Sequence, residues 1–133
     1  MITLDEARQL IAAAEKKAGD IGNPMNIAVV DHGGNLVTFA RMDGAWLGSI
    51  DIAINKAFTA RAFDISTEEL ATMSQPGKPF FGIHASNGGR VMIFAGGIPL
   101  KRDGKVVGAI GVSGGQGEQD QAVAEAGAGA FES

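Results

Sequence analysis

Two short hairpin signals constrain this chain more than anything else in it. Ile27-Ala28-Val29-Val30 is a compact apolar run, His32-Gly33-Gly34-Asn35 follows it, and Leu36 to Arg41 returns as a second extended run. Paired glycines permit positive φ, so those four residues read as a turn between antiparallel strands. Further on, Arg102-Asp103-Gly104-Lys105 joins Ile98–Arg102 to Val106–Val112, and Asp-Gly is the dipeptide that a two-residue hairpin favours. Parallel strands need long crossovers, so strands joined this way do not build a Rossmann sheet. The class implied is α+β.

The helices follow from caps and periodicity. Thr3-Leu4-Asp5-Glu6 is a capping box, a hydroxyl with a Glu three residues on. Leu4, Ala7, Leu10, Ile11, Ala14 and Ala18 then share one face of a helix from Thr3 to Ala18. Ser49 to Phe63 is a second helix with a wide apolar arc and a polar strip of only Asp51, Asn55 and Thr59. Such a helix is buried on more than one side, against a further layer or another subunit. Ser66-Thr67-Glu68-Glu69 opens a short third helix to about Met73, and Glu118 to Phe131 is a final one. Arg90–Ala95 reads as an additional strand, with Gly96-Gly97 as a tight reversal or bulge after it. The expected order is therefore helix, hairpin, two helices, three strands, helix, with five strands in all.

The bulk properties narrow the class of function. A chain of 133 residues, 45% hydrophobic and 20% charged, fits one globular domain over residues 1–133. The net charge of −4 and the absence of a basic stripe argue against nucleic acid and against an anionic membrane surface. There are no cysteines, so disulfides, thiolate nucleophiles and Cys-based metal sites are excluded. No apolar stretch approaches the roughly 20 residues that span a bilayer. The acidic start, Asp5-Glu6, is unlike a signal peptide. The expected location is the cytoplasm.

Several segments taken in order resemble one family. They are Val30-Asp31-His32-Gly33-Gly34-Asn35-Leu36-Val37, Arg41-Met42-Asp43-Gly44-Ala45, Lys56-Ala57-Phe58-Thr59-Ala60, Gly96-Gly97-Ile98-Pro99-Leu100, Gly108-Ala109-Ile110-Gly111-Val112-Ser113-Gly114-Gly115 and Gln119-Asp120. Together they resemble the GlcG/HbpS family, which includes the C-terminal domain of PduO-type corrinoid adenosyltransferases. The resemblance covers nearly the whole chain. It implies a profilin-like, five-stranded antiparallel sheet with packed helices, and homo-oligomers. It also implies binding of haem or another tetrapyrrole, with haem degradation in some members. Some haem-binding members ligate iron with a His early in the first helix; here Thr3 to Ala18 contains no His.

The residues themselves offer a few candidates. His84 stands in a Pro/Gly-rich loop, Gln75 to Gly89, beside Phe80 and Phe81. It is placed as a haem-iron ligand or general base would be, against the plainer reading of an exposed loop histidine. Phe80 and Phe81, with Met73 and Trp46, would supply apolar walls. His32 sits in a hairpin turn, where histidine tolerates the left-handed region. Arg41 ends a strand just before Gly44, and its fork suits a carboxylate or propionate; a local turn contact with Asp43 is the competing reading. Lys56 interrupts an apolar helix face, where a cation must snorkel, pair across an interface or face a pocket. Desolvated, it would serve as a base. Ser113-Gly114-Gly115-Gln116-Gly117 superficially suggests a phosphate cradle, but the acids Glu118 and Asp120 that follow fit a helix start better. Two histidines without a helical His-x-x-x-His spacing make a structural zinc site untenable. Three functions remain: a haem-type small-ligand-binding protein, an enzyme on a small carboxylate or carbonyl compound using Arg41 with Lys56 or His84, and an oligomeric accessory protein.

Overall fold

The structure, a computed structural model, describes residues 1–131, so the last two positions of the expected 1–133 unit lie outside the described residues. The elements run α1 (Leu4–Asp20), β1 (Asn26–Asp31), β2 (Leu36–Arg41), α2 (Gly48–Phe63), α3 (Thr67–Ser74), β3 (Gly97–Arg102), β4 (Lys105–Ser113) and α4 (Gly117–Gly129), with two single 3-10 turns between α3 and β3. The strands make one antiparallel sheet in the order β2-β1-β4-β3. The class is α+β, but the sheet has four strands and not five.

Both hairpins form. In the β3–β4 turn Asp103 has φ 52° and Gly104 φ 78°, the two consecutive positive values that a type I′ turn requires. In the β1–β2 turn the positive φ falls on Gly34 at 77°, so the left-handed tolerance expected of His32 is not used. Asp31 Oδ1 holds that turn by accepting from the backbone N–H groups of Gly33 (2.9 Å) and Asn35 (3.0 Å).

Alternation along the strands divides the core between the two faces. Ile27 and Val29 of β1 and Ile110 and Val112 of β4 pack with Leu10, Ile11 and Ala14 of α1 and Val123 and Ala124 of α4. The α1 stripe is the predicted one from Ala7 to Ala18, Leu4 at its start being exposed, and the Thr3–Glu6 capping box is intact. On the other face the buried centre is made of small side chains, Ala28, Val30 and Ala109 under Ala53, Ala57 and Ala60 of α2, with Phe39 and Ile54 packed at its margin. This lets α2 approach the sheet closely. A Cβ added at Gly111 would stand 2.1 Å from the Ala53 carbonyl oxygen.

The segment Arg90–Ala95 is not a strand. The Gly96 carbonyl accepts from the Val112 N–H (2.9 Å), so the chain enters β3 in line with it. The tight reversal or bulge expected at Gly96-Gly97 is replaced by a bend at residues 94–95 that leads straight into β3. The segment crosses the outer side of α2 instead. The Met92 N–H donates to Thr59 Oγ1 (3.0 Å), that hydroxyl donates to the Asn55 carbonyl (2.7 Å), and the Arg90 guanidinium stacks 3.6 Å from the Phe58 ring centre. Of the predicted polar strip of α2, Asp51 is exposed to solvent and the other two residues are not. Asn55 and Thr59 are buried and form a hydrogen-bonding seam, and the second layer over α2 is this segment of the same chain.

Candidate functional site

Three groups of side chains carry chemistry that the core does not need. The first surrounds Lys56. The close approach of α2 to β4 carries its side chain fully out of solvent (0% exposed), so it does not snorkel. Its Nζ donates to the Val112 carbonyl (2.9 Å) and to Asp120 Oδ2 (3.0 Å), and the Phe94 ring lies 4.5 Å from it. Asp120 Oδ1 accepts from the Gly115 N–H (2.9 Å). Burial pushes the pKa of Lys56 down, and the neighbouring carboxylate opposes that shift. Burial pushes Asp120 up, and the Lys56 ammonium and the Gly115 and Gly114 N–H groups oppose it. Asp120 had read as a helix-start acid. No local pattern shows its partner, because Lys56 and Asp120 meet only when α2 and the start of α4 converge at the end of β4.

The second group is the loop after α3. Ser66 caps α3 by accepting from the Glu69 N–H (3.1 Å), and the Phe80 N–H donates back to the Met73 carbonyl (2.9 Å). The chain beyond is a succession of tight turns that cannot bury its side chains. Phe80, Phe81 and His84 are all exposed, Phe81 at 57%. The imidazole of His84 and the ring of Phe81 meet edge to face, centroids 5.6 Å apart. Of the predicted site, Phe81 and His84 are in contact, and Phe80 is exposed next to them in the chain.

Arg41 does not join them. It ends β2 at one edge of the sheet, whereas α3 packs against β3 at the opposite edge. Its Nε (3.2 Å) and Nη2 (3.0 Å) both donate to the Ala45 carbonyl, which closes the Met42–Ala45 turn. The local partner is thus a backbone oxygen and not Asp43. Lys56, under Phe94, is likewise apart from the exposed loop.

The third group had no signal in the sequence beyond its glycines. Asn23, Trp46, Gln116 and Gln119, with the backbone of Gly114 and Gly115, line a cleft of about 250 Å³ at the start of α4. Trp46, read as a possible apolar wall for the Phe80–Phe81 site, lies here instead. Among the described residues no three His, Asp or Glu side chains converge as a metal site, and no helix is long and apolar enough to cross a membrane.

Comparison with known proteins accords with this fold. The family model described as "Haem degrading protein HbpS-like" matches residues 2–129. An "Uncharacterized 15.0 kDa protein in dhaT-dhaS intergenic region" of Citrobacter freundii is 46% identical over 124 residues, 93% of this chain and 87% of that protein. The corrinoid adenosyltransferase PduO of Citrobacter freundii is 38% identical over 124 residues, 93% of this chain but 37% of PduO, so the likeness spans about a third of that enzyme. The crystal structure of a PduOC:heme complex superposes with a TM-score of 0.94 at 35% identity, covering 98% of this chain and 94% of that one.

Proposed function

The chain belongs to the HbpS-like family, and from that premise we propose that it is a small-ligand-binding protein whose ligand is haem or a related tetrapyrrole. The observation that carries this reading is the exposed cluster of Phe80, Phe81 and His84. Its chemistry fits the group. Two phenyl rings offer apolar faces to a macrocycle, and an exposed imidazole beside them is a nitrogen donor of the kind that ligates haem iron. Haem bound there would supply an iron centre for ligand or redox chemistry. His84 would hold the iron, and the two phenylalanines would exclude water from one face. Support comes also from the similarity to the PduOC:heme complex. Arg41, at the other sheet edge, would reach a propionate only on a ligand held by another copy of the chain.

Homo-oligomerisation is part of the same proposal. The segment between α3 and β3 exposes Phe80, Phe81 and Phe94, apolar surface that a second copy of the chain is suited to cover. A second copy would cover what the ligand does not.

The test is an absorbance-monitored titration with hemin of the wild type and of His84→Ala. A saturable Soret shift, altered in the variant, is expected. A shift unchanged by the substitution would remove His84 as ligand, and no saturable shift would sink the haem reading. Degradation of bound haem is the finer reading, suggested by the family's description, and needs dioxygen and an external reductant. It predicts Soret loss under aerobic ascorbate faster than for free hemin. An enzyme acting on a small carboxylate or carbonyl compound through Arg41 with Lys56 or His84 is less well supported, because the guanidinium is engaged by Ala45, the ammonium by Asp120, and His84 lies in the loop apart from both.

A further inference from the structure

The cleft at the start of α4 is built for a ligand of a different kind, and nothing in the haem reading uses it. Its polar groups are set from the backbone outwards. The Gln116 N–H donates to Gln119 Oε1 (2.8 Å), which fixes which end of that amide faces the chain. Asn23 must then present its nitrogen, and Asn23 Nδ2 donates to the same oxygen (2.9 Å). The pair leaves Gln119 Nε2 as a donor and Asn23 Oδ1 as an acceptor, neither with a protein partner among the described residues. Gly115 leaves the pair its room: a Cβ there would stand 2.5 Å from both Asn23 Nδ2 and Gln119 Oε1, and the two amides would have to move apart from it.

Trp46 forms another wall, and its side chain is 63% exposed. Behind it lies Asn26, fully buried, whose Nδ2 donates to the Trp46 carbonyl (3.0 Å) and whose Oδ1 has no partner among the described residues. Asn26 does not itself line the cleft, so its unpaired acceptor, which costs about 1–3 kcal/mol, belongs to the support of Trp46 and not to the contacts of a ligand. No charged side chain lines the cleft. An ion entering it would lose hydration without gaining a counter-charge. At about 250 Å³ the space lies below the range of drug-sized pockets, so the ligand is small.

We propose that this cleft binds a small neutral polyhydroxy compound, a sugar or polyol, stacked on Trp46 and hydrogen-bonded by the Asn23–Gln119 amide pair. A hydroxyl both donates and accepts, which matches one free amide nitrogen beside one free amide oxygen. The C–H faces of a sugar ring pack on the electron-rich face of an indole.

Trp46 is the only tryptophan in the protein, so its fluorescence reports on this site alone. The haem-free protein is titrated with xylose, glucose and glycerol, and with acetate and glycolate as anionic controls. A saturable change is expected with at least one sugar or polyol and with neither anion. Asn23→Ala and Gln119→Ala should each weaken it about tenfold, the equivalent of a hydrogen bond or two, measured well below the melting point of each variant because Gln119 also caps α4. His84→Ala should leave it unaltered, which separates this site from the proposed haem loop. A silent fluorescence titration is checked by saturation-transfer NMR observed on the sugars. Absence of transfer as well would overturn the proposal. So would a response to acetate equal to that of the sugars, or a response that tracks self-association in the ultracentrifuge.

Discussion

At the scale of single residues, the buried pair Lys56–Asp120 dominates the electrostatics of the molecule. A buried ion pair is weak evidence for net stability, but breaking one strands a charge and costs about 3–5 kcal/mol. Asp120→Asn should therefore destabilise the fold by that order in urea denaturation at neutral pH. The loss should shrink as pH rises. The folded pKa of Lys56 lies below its ordinary value of 10.5, so between the two values the unfolded chain binds more protons and stability increases with pH. Without Asp120 that folded pKa falls further, and the rise should begin at lower pH. A variant whose stability curve across pH parallels the wild type would show that the pair is not coupled as described. The lysine was legible in the sequence as an anomaly on an apolar helix. Its partner was not, because a contact across 64 positions has no local signature.

Among the elements, α2 owes its position to small residues on both sides of its interface with the sheet. Gly111→Ala would push a methyl group to 2.1 Å from the Ala53 carbonyl, forcing α2 outwards. Overpacking of this kind costs about 1–3 kcal/mol or more. Gly19→Ala is the matched control, because it lies in α1 with nothing within 4 Å of the added Cβ, and helix propensity favours alanine there by about 0.5–1 kcal/mol. Thermal melts should move in opposite directions for the two variants; a neutral Gly111→Ala would refute the close-packed reading of α2 on β4. The same element explains the misread fifth strand. Residues 90–95 carry strand-like composition, yet Thr59 takes the Met92 N–H and no neighbouring strand does. A hydroxyl in the middle of a helix satisfies an extended segment as well as a sheet edge does, and residue preferences do not distinguish the two.

For the whole molecule, the sheet separates α3, which packs against the β3 edge and leads into the exposed loop, from Arg41 at the end of the β2 edge strand. Sedimentation velocity should find a dimer or larger assembly, and Phe81→Asp should reduce it; a wild-type monomer at micromolar concentration would retire the oligomer proposal. The sequence by itself determined the α+β class, both hairpins, the capping box of α1 and most of its stripe, and the irregular loop that carries Phe80, Phe81 and His84. All of these rest on neighbours in the chain: turn chemistry, 3.6-residue periodicity and loop composition. Tertiary structure alone decided that the sheet has four strands, that Lys56 is sealed against Asp120, and that Asn23, Trp46 and Gln119 converge on one cleft. The physical reason is common to all three. Each depends on which distant backbone or side-chain group satisfies a hydrogen bond, and that is settled only when the layers pack.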